Sequence, residues 1–590
     1  MCAAHIWLIV FGFFPYCRIQ PVSSLISDEG KAKEFLDNID QQHREWCQDK
    51  AKELDYRGMW SYDWKHFSNP ELRRAFQLLS LTTPASLDAP DQADLSKYQE
   101  LEETMIGRIF GSKVCPYNQE CGENEKKLKY SAINGEMDQS RDYNKRLYYW
   151  KAWRDATGKQ QRTTYSEFVD VANKLRKQYD SYGDYWLREY ETPTGEFLQE
   201  LKRIRQDLLP LYKQLHAYVR RRLINVYGEN KINSNGPIPE HLIGLIPQKW
   251  NKIMDVLSPY DSEFDVTAKM KQKGTSVSEM VELAEDFYRS LGTPELDEAF
   301  WRDSIFEKSS KMENCINEIR EGCAGSGARI RMCTNATEYY LHLLLQLLGD
   351  AHQEKAVSDL HYPFQGAANP GFLVAIGRTA DLSAWTETYL RSVGLWDESY
   401  HRDRDISVLL NIALENIPVI FNSLSMETWR IDVFDKVTPS RSMNGKYWEK
   451  RVKKEGVCPP VRRDENDFDP GAHIHISTHS PIIDYAVGGI LQFQFHKALS
   501  QAAGCSEPLH KCSIYRSSAA GRKLNEMMEL GKSKPWPEVL SILTNGQTKK
   551  MDAGALLEFF QPLYQWLQRE NNNEYIGWVT DDVMQCPRAG

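Results

Sequence analysis

The stretch FLQELKRIRQDLLPLYKQLHAY, residues 197–218, decides the fold class. Phe197, Leu201, Ile204, Leu208, Leu211, Leu215 and Tyr218 recur at alternating steps of four and three, which places them on one face of an α-helix. In a chain of 590 residues such a stripe is read as a core-facing surface, not a docking face. Pro210 interrupts it and predicts a kink, because its ring clashes with the carbonyl four residues back. Similar amphipathic patterns occupy 28–56, 70–110, 142–182, 277–291, 404–424 and 486–503. Strand signals are sparse, and ARIRMC at 328–333 is the best of them. The chain is therefore read as all-α, predominantly helical with few short strands.

Composition narrows the function classes. The chain is 41% hydrophobic and 26% charged, as expected of a globular protein. A net charge of -9 argues against nucleic acid as the partner, since phosphate binding needs a basic face. The compact basic run Arg220-Arg221-Arg222 is read as a solvated helix face. Residues 6–14, IWLIVFGFF, are too short to span a bilayer and fit the core of a secretory signal peptide over residues 1–20, with cleavage between about 17 and 24. No second apolar stretch reaches about 18 residues, so no membrane span is expected. The chain is expected to be secreted and extracellular.

Cysteine usage fits that compartment. Cys115–Cys121, Cys315–Cys333 and Cys505–Cys512 are plausible disulfides, although spacing alone does not fix connectivity. No C-x-x-C pair occurs, which disfavours a zinc ribbon. The sequon Asn335-Ala336-Thr337 marks Asn335 as a glycosylation site. It directly precedes YYLHLLLQLLGDAHQEK, residues 339–355, where Gln346 and Asp350 lie one turn apart in a leucine-packed run.

Several blocks resemble the angiotensin-converting enzyme family of zinc peptidyl-dipeptidases. They are AWRDATGK (152–159), LHAYVRRRL (215–223), PIPEHLIG (237–244), GAANPGF (366–372), CPPV (458–461), FDPGAHIHI (468–476), QFQFHKAL (492–499), QAAG (501–504) and PLHKC (508–512). The resemblance runs in order from 28 to 580 as a single family domain, leaving a tail at 581–590. It implies an all-α, zincin-like scaffold with two lobes about a deep central cleft.

The family holds its metal on an H-E-x-x-H helix, where residues four apart bring two imidazoles to one zinc and the Glu between them polarises water. A third ligand, a Glu, follows from the next helix. Counting without a gap from Cys333 to Asn369-Pro370-Gly371-Phe372 puts Gln346, Leu347, Asp350 and Val374 at the first ligand, the catalytic Glu, the second ligand and the third ligand. An acidic supporting position is Arg378. The resemblance thus implies no catalytic residues and no zinc. A relocated site is also disfavoured: His342 and Asp350 lie about 12 Å apart along the helix axis, too far to share an ion. Gln346 and Asp350 are expected to hydrogen-bond each other or cleft water.

Around this helix the family pattern is part kept and part lost. The substrate-binding His survives as His475, the Tyr that steadies the tetrahedral intermediate as Tyr485, and Gln248 matches a carboxylate-gripping position. The other substrate His is Ile316, and the Lys and Tyr that grip a C-terminal carboxylate are His473 and Ile482. Arg154 is the remnant of an anion site; Asp484 and Asp432 reverse basic positions, so the chloride sites are read as degraded. Cys115–Cys121 and Cys315–Cys333 match family bridges, Cys505 replaces the usual partner of Cys512, Cys458 resembles a free thiol, and Cys47, Cys323 and Cys586 take no family role. Three functions follow. The first is a secreted pseudopeptidase that binds a peptide or an extracellular protein. The second is a peptidyl-dipeptidase with atypical ligands, and the third is a structural extracellular protein using its outer surface.

Overall fold

The computed structural model describes residues 25–48, 55, 57–82, 92–122, 127–175, 179–260, 265–307, 318–320, 328–396 and 404–587. The expected signal segment lies outside them. Helix makes up 66% of the described residues, and the strands among them are short.

The stripe at 197–218 lies in α1, Thr194–Tyr227, and each of its apolar residues is buried. α1 continues through Pro210 as one helix. Four further helices position the site: α2 (Glu338–Ala356), α3 (Pro370–Ala384), α4 (Arg404–Phe434) and α5 (Ile483–Ala502). The starts of α2 and α3 are set by their caps. Thr337 accepts from the Tyr340 amide, and Asn369 accepts from the Phe372 amide with Pro370 in the first turn. α3 packs against both α2 and α5, and α4 packs against α5.

The α2–α3 crossing is a backbone contact. A Cβ on Gly349 would sit 2.6 Å from the Gly377 Cα, and one on Gly377 would collide with the Gln346 carbonyl. Glycine at both positions lets the helices close to a distance that no larger residue allows. On the other side of α3, Val374 fills the space over Gly488 of α5, where an added Cβ would meet it at 2.5 Å.

Among the described residues, two small sheets complete the fold. β1 (Ile238–Pro239) pairs in parallel with β4 (Val457–Cys458), and β2 (Glu318–Arg320) pairs antiparallel with β3 (Arg329–Arg331). β3 is the strand expected within 328–333. The pattern read over 70–110 resolves into helices at Pro70–Thr82 and Gln92–Gly111, and that over 142–182 breaks after Ala156.

Four readings change. Arg220 is not solvated: it is fully buried and donates to the carbonyls of Gly236, Tyr575 and Gly577, while Arg221 pairs with Glu570 and Arg222 caps the carbonyls of Val256 and Ser258. Cys458 is bonded to Cys586, 128 residues away. Residues 581–587 are therefore fastened rather than a free tail, with the Cys586 amide donating to Pro459 and the Arg463 amide to Met584. Finally, Asp405–Phe434 is long and apolar enough to cross a membrane, but 78% of its most apolar window is buried in the core.

Cys115–Cys121 and Cys505–Cys512 are bridged as expected. Cys333 and Cys47 are also disulfide-bonded. Cys315, Ile316 and Cys323 lie outside the described residues.

Candidate functional site

α2 places Gln346 at the α3 crossing, and its side-chain amide donates to Asp381 Oδ2 of α3 at 2.7 Å. The other oxygen of Asp381 binds His342 Nδ1, one turn before Gln346 on α2. The His342 ring stacks on Trp385, with centroids 4.1 Å apart. Burial opposes charge on His342, but the Asp381 charge and hydrogen bond outweigh it and hold the imidazole above its ordinary value. The sequence leads Gln346 to be expected on Asp350 or cleft water; its amide instead reaches across the helix pair to Asp381. The physical reason is that the backbone contact at Gly349 and Gly377 brings α3 within side-chain reach of Gln346.

Of the neighbouring positions, Leu347 and Val374 are apolar, Asp350 is acidic and Arg378 is cationic. Leu347 packs on the main core, and Val374 fills the space over Gly488. Asp350 is half-buried beside Tyr288, whose hydroxyl is held far above its ordinary value by burial first and then by the charge of Asp350. Arg378, one turn after Val374, is 8% exposed and lies over the Tyr485 ring at 5.9 Å. Those groups do not make a zinc donor set. Zinc takes imidazole, thiolate or carboxylate, whereas an amide, an isopropyl group and a guanidinium stand here beside one carboxylate.

His352 and His361 are committed elsewhere, His352 to Glu285 at 3.1 Å and His361 to Asp40. Among the described residues, one group of three His, Cys, Asp or Glu side chains gathers closely enough to share an ion. It is Asp37, Asp40 and His361, and Asp37 is exposed.

The three retained cleft positions are brought together. Gln248 Nε2 lies 3.5 Å from His475 Nδ1, and the His475 and Tyr485 rings meet edge to face at 5.5 Å. Burial pushes the His475 imidazole down to about 3, so it is neutral. His473 is fully buried and bonded to the Tyr447 hydroxyl at 2.8 Å, and Ile482 is in the core, so neither offers a grip for a carboxylate. The exposed side chain of Asn335 leaves the sequon on the surface, next to the Thr337 cap of α2.

The charge-reversed positions behave differently from their sequence reading. Asp484 accepts from the Tyr190 hydroxyl at 2.5 Å, and burial pushes its carboxyl up to about 7, so it is not a fixed negative charge at neutral pH. Asp432 pairs with Lys450 at 2.6 Å. Arg154 is fully buried, and its charge is met inside the chain: Glu240 takes Arg154 through one carboxylate oxygen at 2.5 Å and Arg451 through the other at 3.0 Å. Trp150 also donates to Glu240 at 2.8 Å. A protein carboxylate thus fills the place beside the arginine that the sequence pattern marks for an anion.

Sequence reasoning missed His342 and Asp381 as partners and Glu240 as the counter-charge. Asp381 could have been found: it lies seven residues after Val374 and three after Arg378, on the same face of α3.

An all-α chain whose site is built on two crossed helices, with a third helix supplying Tyr485, has the architecture of zincin-like helical peptidases. The chain belongs to the angiotensin-converting enzyme family, whose model, described as Angiotensin-converting enzyme, matches residues 26–578. The chain is 36% identical over 569 residues to angiotensin-converting enzyme of Mesocricetus auratus, covering 94% of this chain and 42% of that relative. It is 34% identical over 517 residues to the Theromyzon tessulatum enzyme, covering 86% of this chain and 82% of the relative. It is 34% identical over 524 residues to the angiotensin-converting enzyme-like protein Ace3 of Mus musculus, covering 87% and 69%. The chain spans about two-fifths of the length of the first of these relatives.

Proposed function

We propose that this chain is a secreted, non-hydrolytic member of its family that binds peptides or an extracellular protein in the cleft its relatives use for catalysis. The observation that carries the reading is the Gln346–Asp381–His342 arrangement. The side chain at the first ligand position spends its amide on a carboxylate of the neighbouring helix. The residue after it, Leu347, has no group that could take a proton from water. Val374, at the third ligand position, is an alkyl group packed over Gly488.

Support for a binding role comes from the assembled Gln248, His475 and Tyr485, which keep polar atoms and an aromatic face in one place. Glu240 supplies the negative charge that Arg154 and Arg451 need, so the scaffold requires no chloride there. The disulfides support an extracellular residence. The test is metal analysis of the purified protein together with a chelator-sensitive assay for release of C-terminal dipeptides. Substoichiometric zinc and no release are expected. Near-stoichiometric zinc with chelator-blocked release would establish the atypical peptidase instead. A peptide panel that shifts no melting temperature would favour a role confined to the outer surface.

A further inference from the structure

Arg378 stands out among the buried charges. Arg146, Arg154, Arg220, Arg430, Arg451 and Arg463 are all buried, and each donates hydrogen bonds or pairs with a carboxylate. Arg378 is 8% exposed and makes neither a hydrogen bond nor an ion pair among the described residues; its Nη1 is wholly buried and unpartnered. Its contact is the face of the Tyr485 ring at 5.9 Å. An unpaired guanidinium removed from water is expensive, and a fold retains it where a counter-ion arrives from outside.

The surroundings define that counter-ion. Two carboxylates act on Arg378 from a distance, Glu415 of α4 and Asp381 of α3. Both are already engaged, Glu415 with Lys249 and Asp381 with His342 and Gln346. Their negative field disfavours a doubly charged phosphate and leaves room for one negative charge. A planar guanidinium fork matches a carboxylate through two parallel hydrogen bonds. Across the Tyr485 ring lie the neutral imidazole of His475 and the amide of Gln248, suited to the uncharged part of a peptide.

We propose that Arg378 is the anchor of a monoanion site in the cleft, which receives the carboxylate of a peptide ligand or a free halide. The charge of the site is the reverse of the cation that relatives hold on these two helices. This inference deepens the peptide-binding reading and rests on it.

The experiment compares the wild-type chain with Arg378→Gln by melting temperature and calorimetry. The probes are acetyl-trialanine free acid, acetyl-trialanine amide and sodium chloride. The wild-type protein is expected to respond to the free acid and not to the amide, with affinity roughly tenfold or more weaker in Arg378→Gln. A chloride response lost in Arg378→Gln supports the same site and assigns it to a free ion. In salt-free buffer Arg378→Gln is expected to melt no lower than wild type, because an uncompensated charge is removed. Equal binding of acid and amide by both proteins would overturn the anion site while leaving peptide binding standing. An Arg378-dependent chloride response without any peptide response would leave the site standing and remove the peptide reading. A lower melting temperature of Arg378→Gln in salt-free buffer, with no anion response in either protein, would overturn the inference.

Discussion

Asp381 joins two residues of the neighbouring helix, taking the Gln346 amide on one oxygen and His342 Nδ1 on the other. The contact is largely out of water, with Asp381 and His342 each 8% exposed. Asp381→Ala leaves a buried imidazole and a half-buried amide without their acceptor, so a loss of about 2–4 kcal/mol is expected. Gln346→Ala removes one donor and leaves the ion pair intact, so it should cost about 1 kcal/mol. Urea denaturation of the two variants measures both.

Asp484 gives a pH signature. Burial, with Glu189 and Glu427 adding to it, pushes its carboxyl up to about 7 against the relief of the Tyr190 hydroxyl and Arg430. Between about pH 4 and pH 7 the folded chain holds a proton that the unfolded chain has released, so this group's contribution makes stability fall as pH rises through that window. Asp484→Asn stays uncharged and still accepts from Tyr190. Its advantage over wild type is expected to grow from near zero at pH 4 to roughly 1–3 kcal/mol at pH 8, read from denaturation curves at both pH values.

Glu240 serves two buried arginines, so its removal should create an anion requirement that the wild-type chain lacks. Glu240→Ala leaves Arg154 with Asp469 at 4.0 Å and Arg451 with Glu455 at 3.0 Å, and is expected to destabilise by about 3–5 kcal/mol. Chloride should restore part of that loss at Arg154 and Arg451, and the rescue should survive Arg378→Gln, which removes the separate anion site beside Tyr485. A thermal melt of Glu240→Ala with and without Arg378→Gln across a chloride series checks this.

Rebuilding the metal site demands more than its ligands. Gln346→His, Leu347→Glu, Asp350→His and Val374→Glu together place the family's donors on α2 and α3, yet Arg378 would still face them with a positive charge. Zinc content is expected to stay low in the fourfold variant and to rise when Arg378→Asp is added. Equal zinc in both variants, by metal analysis, would show that the guanidinium does not matter to the cation.

Local periodicity made much of this legible. The 197–218 stripe required only steps of three and four, and its residues are buried where that pattern puts them. The family blocks located α2 and α3 and, with them, Gln346, Leu347, Asp350 and Val374. What escaped depends on distant segments. Arg220 reads as one member of a basic run, but it is buried by Tyr575 and Gly577, over 350 residues away. Cys458 finds its partner 128 residues on. Glu240 looks like one residue of a PIPEHLIG loop until the fold sets it between two arginines from separate helices.

The contact of Gly349 with Gly377 is made by main chain against main chain. The spacing and angle of the two helices therefore owe little to the side chains that project around them. Chemistry at 346, 347, 350, 374 and 378 can be rewritten, by drift or by a protein engineer, on a chassis whose dimensions do not change. One helix pair can thus grip a cation in one chain and an anion in another.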